Sequence, residues 1–478
     1  MNRSTRNSPP LASPRGRLAV LLGSALVLGG CATFSPDGGF SSVQQVAKDR
    51  LGQDVQWARS DADLDGIARR VNELLSKPLG VDDAVQVALL NNRGLQASFQ
   101  ELGITEAEVV MAGRLPNPGF SFGRARKGDE REIERGLHFN LGRLLAMPLV
   151  GQMESRRFTQ VQGVVAMGVL SLAADTRKAY YNALAAEETV RYMQKVRQAA
   201  EASSELARRM EQVGNFNRLQ RAREQMFLAE ALLNLARAEQ AQRATREKLT
   251  RLLGAWGAQT RFTLPERLPD LPSAVLDLPD IERVAMAQRL DVQGARQTSE
   301  LTARNLGLTR TTRFVSVLEL GAKRVGSSEG PSERGWEVGF ELPLFDWSGA
   351  RIARAEAVYM QSLHRAAETA VNARSEVREA YTGYRSAYDI ARHQRDEVVP
   401  LSQRIAEENL LRYNGMLIGV FELLADARSQ IAVVHGSIQA LRDFWIAQSD
   451  LDMALIGKPS LATATGPAMA AETAKPGH

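Results

Sequence analysis

The chain says nearly the same thing twice, and any fold for it has to be built from two copies of one unit. Arg177, Ala179 and Tyr180 recur as Arg378, Ala380 and Tyr381, and Gly214 recurs as Gly415, all at an offset of 201. Glu134-Arg135-Gly136 recurs as Glu333-Arg334-Gly335 at 199, and Ala88, Leu95 and Gln96 match Ala285, Val292 and Gln293 at 197. A slow drift of this kind is what small loop insertions leave behind. The period is far longer than the ~20–50 residues of solenoid repeats. The pattern therefore predicts a pseudo-symmetric body, with repeats over 81–270 and 271–457.

Each copy reads as helix, strand pair, long helix, turn, helix. No proline occurs from Gln152 to Leu264, a stretch rich in Ala, Leu, Glu, Gln and Arg, all good helix formers. Apolar residues recur at helical spacing, at Val165, Val169 and Leu172 and again at Leu228, Leu232 and Leu235. Gly214-Asn215 breaks the pattern midway and suits a tight turn. An arm over 152–213 would run roughly 90 Å at ~1.5 Å per residue, so it needs neighbours along its length, and an antiparallel hairpin supplies them. The second copy repeats this from about Arg351 to Leu455, turning at Asn414-Gly415. Pro400 interrupts its long arm and predicts a bend or a loosened hydrogen bond.

Ahead of each hairpin the period changes to two. Phe120 and Phe122 alternate with Ser121 and Gly123; Leu137, Phe139 and Leu141 alternate with His138, Asn140 and Gly142. In the second copy Trp336, Val338, Phe340 and Leu342 alternate with Glu337, Gly339 and Glu341, and Phe314, Leu318 and Leu320 face away from Glu319 and Lys323. The expected strands are 118–126, 135–145, 313–325 and 335–343, with Lys127–Glu130 and Gly326–Arg334 as exposed loops. Apolar-out, polar-in alternation over about ten residues is a barrel-wall signature. Four strands cannot close a membrane barrel, and open edges are excluded from lipid. Strands from several chains would be needed, and three chains would give twelve. Two surface hairpins on a soluble helical protein are the alternative.

The N-terminus bears on the compartment. Residues 1–30 carry Arg3, Arg6, Arg15 and Arg17 without an acid, then an uncharged run from Leu18 to Gly30. That run suits a signal segment and is too short to span a bilayer as a helix. Leu28-Gly29-Gly30-Cys31 resembles the bacterial lipobox, in which the cysteine receives a diacylglycerol and becomes the N-terminus. The resemblance makes Cys31 the lipidation site, and Ala32 in place of an aspartate implies sorting to the outer membrane. Cys31 is the only cysteine, so no intrachain disulfide forms. The formal charge of +5 includes the four leader arginines, leaving about +1 without them. Neither that balance nor the sparse aromatics, at 6%, suits a nucleic-acid binder. Residues 31–80 are mixed, with a helical pattern at Ile67, Val71, Leu74 and Leu75, and 458–478 read as a disordered tail.

Several motifs fall in a telling order. Arg114-Leu115-Pro116-Asn117-Pro118 resembles the entry to the first strand in the TolC family of outer membrane factors. Leu342-Pro343-Leu344-Phe345-Asp346, with Gly349 and Arg351, resembles the family's exit from the last strand. Tyr413-Asn414-Gly415, with Leu423 and Ala425, resembles its second hairpin tip. Leu252-Leu253-Gly254 and Ile456-Gly457 resemble the ends of its returning helices. The likeness spans about 80–458. It implies a mainly α fold with a membrane β-barrel: a homotrimer whose twelve strands form an outer-membrane barrel on a long periplasmic α-helical tunnel. It further implies a periplasmic adaptor protein and an inner-membrane pump as partners, with drug or heavy-metal export as the task.

The resemblance also places sites. The hairpin tips contact the adaptor in such proteins, which carries over to Arg209, Gly214 and Asn215 and to Arg412, Gly415 and Met416. Many relatives set carboxylates just beyond the second tip. Here Phe421 and Leu424 fall at those positions, with Glu422 and Asp426 displaced, so an apolar gate acting by dewetting is expected. Nothing in the sequence asks for enzymatic chemistry or a cofactor. The five histidines, at 138, 364, 393, 435 and 478, show no metal-ligand spacing, there is no phosphate loop, and thirteen methionines are scattered. A lipid-anchored periplasmic coiled-coil scaffold and the exit duct of a type I protein secretion system remain the alternatives.

Overall fold

The computed structural model describes residues 33–311, 318–328, 330–340 and 349–459. The leader, Cys31, the Leu342–Asp346 motif and the tail from 460 lie outside them.

Four helices come first: α1 (Phe40–Leu51), α2 (Asp61–Leu75), α3 (Val81–Asn91) and α4 (Arg93–Ala112). Strands β1 (Gly119–Lys127) and β2 (Glu130–Asn140) follow, then α5 (Leu141–Gln212) and α6 (Arg218–Leu253). After a 3-10 turn at Gly257–Arg261 come α7 (Ile281–Gln288), α8 (Leu290–Thr311), β3 (Leu318–Ser327) and β4 (Glu333–Phe340). Helix α9 (Gly349–His393), a π turn at Gln394–Val398, α10 (Val399–Asn414) and α11 (Val420–Ile456) close the chain.

The chain divides into two compact units that do not follow the duplication, since each draws on both halves. One takes the described residues through Ser42 with Phe99–Val164 and Ala295–Ala366; the other takes Val43–Ser98, Val165–Gly294 and the described residues from Ala367.

The first unit holds a four-stranded antiparallel meander in the order β1-β2-β3-β4. The central pairing joins the two halves of the sequence, with Asn140 opposite Glu319 and Glu132 opposite Ser327. Around it, α5 meets α8 where Gln160 donates to Thr298 at 3.1 Å, and α8 meets α9 where Thr302 and Ser362 hydroxyls lie 2.7 Å apart. The strand limits differ from expectation. Leu141–Leu145, expected as strand, begin α5, because Leu141 satisfies the alternating and the helical pattern alike. Lys127 and Glu130 pair in the ladder, so the first turn contracts to Gly128-Asp129. Gly326, Ser327, Glu333 and Arg334, expected in the second loop, are strand residues too.

The second unit is helical. Helix α2 begins at a capping box, Ser60 accepting from the Asp63 amide while Asp63 accepts in return, and it buries Ile67, Val71 and Leu74. Tyr181 stacks on Trp445 at 5.4 Å, and Tyr384 and Tyr388 pack on the fully buried Phe444. Their polar ends bind the connector between the halves: Tyr388 donates to the Pro272 and Ser273 carbonyls and Trp445 to Pro269, while the Leu276 amide donates to Tyr384. Pro400 is absorbed as a π turn. The Val399 amide reaches the Gln394 carbonyl, five residues back, and the wider turn makes room for the ring.

Helix ends are seated by polar side chains. Asn91 and Asn92 donate to the carbonyls of Leu252, Leu253 and Gly254 at the end of α6. Gly254 has φ +63°, and a Cβ there would lie 2.6 Å from the Asn91 carbonyl oxygen, so only glycine fits. In the second half Arg289, 1% exposed, occupies the equivalent seat. It donates to the Ala454 and Ala373 carbonyls and is neutralised by Asp291 at 2.7 Å and Glu376 at 2.6 Å. A buried guanidinium is tolerable only when paired and hydrogen-bonded in this way.

Candidate functional site

The sheet has two chemically distinct faces. Directly opposed residues share a face, so the register defines rows across it. One row is Phe120, Leu137, Ala322 and Trp336; the next towards the helices is Phe139, Leu320 and Val338. These side chains are open to solvent in the single chain, Trp336 by 77% and Phe120 by 67%. A contiguous aromatic patch of this kind marks a surface built for lipid or protein. The opposite face carries Gly119, Ser121, Gly136, His138, Gly321, Lys323, Gly335 and Gly339, with six glutamates at 130, 132, 134, 319, 333 and 337. One face is apolar in its rows towards the helices; the other is polar, low in bulk and acidic.

The hairpin tips lie in the helical unit. At the first, Gly214 takes φ +81° and the Asn215 and Phe216 amides return to the Met210 carbonyl, a tight reversal that buries Phe216. Asn217 then caps α6 in a box with Gln220. At the second, the left-handed residue is not Gly415, whose φ is −78°, but Met416, at +61°. The equivalence of the two glycines therefore fails in backbone terms. The Leu417 amide closes on the Arg412 carbonyl, and that reversal moves the positive φ one residue on. Left-handed geometry costs a non-glycine residue about 1 kcal/mol, and Met416 is 92% exposed. Arg209 and Arg412 are held alike: Arg209 donates to Glu205 at 2.8 Å and Arg412 to Glu408 at 3.2 Å, each one turn back. Hydrogen bonds from Arg208 and Arg209 hold the Glu205 carboxyl down at about 2.

No family model matches the chain, and no curated sequence does. Solved structures match along most of its length. The CmeC outer membrane channel of Campylobacter jejuni superposes with TM-score 0.66 at 15% identity, covering 86% of this chain and 91% of that one. The open-state MtrE outer membrane channel of Neisseria gonorrhoeae gives 0.65 at 19%, covering 79% and 89%. The outer membrane protein VceC of Vibrio cholerae gives 0.65 at 14%, covering 79% and 96%. The fold is that of the outer-membrane channels.

Within this channel fold, the residues expected at a gate lie just past the second tip. Phe421 and Leu424 are in the first turns of α11, Leu424 half-buried, and the Phe421 side chain lies outside the described set. A feature of the channel fold that sequence reasoning missed lies nearby. Glu224 on α6 is wholly buried, accepting from Ser203 of α5 at 2.6 Å and from Arg428 of α11 at 2.5 Å. It ties the start of α11 to the first hairpin. The one signal in the sequence is that Glu224 falls on the helical spacing of Leu228, Leu232 and Leu235, and nothing local names its partners Ser203 and Arg428. Beside it a groove of about 650 Å³ runs between α5, α6 and α11, lined by Met193, Val196, Phe227, Ile431 and His435. Burial pushes the His435 imidazole down, helped by Arg442. Among the described residues no three His, Cys, Asp or Glu side chains gather as a metal site.

Proposed function

We propose that the chain is a lipid-anchored outer membrane factor of the TolC family, the passive duct of a tripartite efflux system. Three copies each contribute four strands to a twelve-stranded barrel, and their helical hairpins form the periplasmic tunnel. The carrying observation is the two-faced meander: an aromatic face suited to lipid and a glycine-rich, acidic face suited to a water-filled bore. Trimerisation draws support from α10, which buries none of its residues in the single chain while exposing Leu401, Ile405 and Leu411. Cys31 carries the lipid anchor. The tips at Arg209, Gly214 and Asn215 and at Arg412, Gly415 and Met416 receive a periplasmic adaptor coupled to an inner-membrane pump, and Phe421 and Leu424 narrow the mouth. The bore face carries six glutamates against two lysines, Lys127 and Lys323, so cations pass more readily than anions and the cargo is a drug or a heavy-metal ion.

The test is purification in detergent followed by native mass measurement and planar-bilayer recording. A trimer with heat-modifiable migration and cation-selective conductance is expected. A monomer or coiled-coil dimer without conductance would leave the lipid-anchored scaffold. Phe421→Ala should make cells more permeable to large antibiotics; unchanged permeability removes Phe421 from the gate. Growth inhibition of a complemented deletion strain across metal salts, dyes and antibiotics then separates metal from drug cargo.

A further inference from the structure

The charged residues of the sheet are sorted by sign between its two faces. Every glutamate of the four strands points to the glycine-rich face. The aromatic face carries six arginines, at 124, 126, 131, 135, 324 and 334, and no acid. All six are exposed. Their position along the strands is equally ordered. Nearest the helices lie the apolar rows, ending with Phe120, Leu137, Ala322 and Trp336. The next row towards the loops is Phe122, Arg135, Arg324 and Arg334, three arginines side by side on adjacent strands. Arg124, and then the opposed pair Arg126 and Arg131, lie further out. Among the described residues, Arg126 alone of the six has a carboxylate within reach, Asp129 of its own turn at 3.7 Å, and Arg324 makes a long contact to Ser332 at 3.3 Å. Like charges directly opposed across a ladder repel, so Arg135, Arg324 and Arg334 in one row weaken the isolated sheet unless something anionic lies over them.

We infer that this row and its outer neighbours form a belt that binds the phosphate groups of the lipid leaflet surrounding the loop end of the barrel. This rests on the membrane-channel reading, in which the aromatic face meets lipid. Guanidinium groups present paired donors that match phosphate oxygens, and that match favours arginine over lysine. The belt begins where the aromatic rows end, which is where acyl chains give way to headgroups. The helices leave from the other end of the strands, so on the proposed topology the belt faces the outer leaflet. Its ligand is a phosphorylated lipid headgroup, held by several arginines at once and in a ring once three copies close the barrel.

The experiment uses the whole lipidated protein in vesicles of phosphatidylcholine with graded amounts of lipid A bearing two phosphates, with lipid A lacking phosphate as control. Native mass measurement and phosphorus per trimer report retained lipid. The wild-type trimer should retain the phosphorylated lipid and not its dephosphorylated form, and should release it in high salt. The triple variant Arg135→Gln, Arg324→Gln, Arg334→Gln should insert equally well while retaining roughly tenfold less. A lysine triple at the same positions keeps the charge but loses the fork, and should fall several-fold. Equal retention by wild type and both triples overturns the belt. Insertion without any preference for phosphate overturns the belt and leaves the channel reading intact, whereas failure to insert into any vesicle overturns both.

Discussion

The two helical hairpins have the same plan and different construction. The first, α5 with α6, buries a long series of small and apolar residues from Val165 to Ala207, turns on a glycine with φ +81°, and starts its return helix with a complete capping box. The second, α9 and α10 with α11, contains a π turn, buries nothing along α10, turns on a left-handed methionine and starts its return helix at Gly419 without a side-chain cap. One copy is finished as a rigid post. The other keeps strain at its tip and starts its return helix without a side-chain cap, and near the tip it is tied to the first hairpin through the buried Glu224. Loosely built elements are the ones that move, so the second hairpin is the more mobile of the two.

The sharpest way to break this contrast is to cut the tie. Glu224→Ala removes the buried acceptor of Arg428 and Ser203 and should cost about 3 kcal/mol. Amide exchange should rise over 420–430 with little change over 165–200; equal loosening of both would mean that the second hairpin is not separately held. Next in size is the cap. Asn217→Ala should cost about 1 kcal/mol and fray 217–222, making the first tip resemble the second. Met416→Gly should act in the opposite sense, stabilising the second tip by about 0.5–1 kcal/mol as left-handed strain is relieved. A loss of thermal stability would show that Met416 is held by contacts rather than strained. Pro400→Ala should let a regular α-turn replace the π turn, seen as slower exchange of the amides at 398–402. The smallest effect is electrostatic. The Glu205 carboxyl sits near 2 when folded and near 4.5 when free, so its contribution is complete above 4.5 and fades as pH falls through 2. Titration of that carboxyl in the folded protein should give a midpoint near 2; a midpoint above 4 would mean that Arg208 and Arg209 do not hold it.

Much of the architecture was legible because it rests on periodicity. The switch from period two to helical spacing locates both strand pairs, and Gly214 and Pro400 mark a true turn and a true irregularity. What was hidden depended on distance or on degeneracy. Leu141 fits a strand and a helix equally, and Glu130–Glu134 lack the apolar alternation, so the second strand was read five residues too far along the chain, over 135–145 instead of Glu130–Asn140. Gly415 looked like the turn residue because glycine can take positive φ, yet the loop closure placed that φ on Met416. The Glu224–Arg428 tie joins residues some 200 apart, and Arg289 fills a seat that asparagines fill in the other half. No local pattern announces either. The sorting of arginines and glutamates between faces was in the sequence all along, but only the register shows that Arg135, Arg324 and Arg334 share a row.

The pairing of β2 with β3 has a consequence for the order in which the molecule can be made. The first strand pair is complete at Asn140, but the strand that must lie beside it begins at Leu318. At ribosomal speeds of ~5–20 residues per second, the wait is on the order of ten to forty seconds. Throughout it the outer edge of β2 is a row of unmatched donors and acceptors beside exposed aromatic rings, the kind of surface that recruits any neighbouring strand. The newborn chain therefore spends roughly a third of its synthesis with its stickiest edge uncovered, and an escort that holds unfolded hairpins would be most needed in that interval.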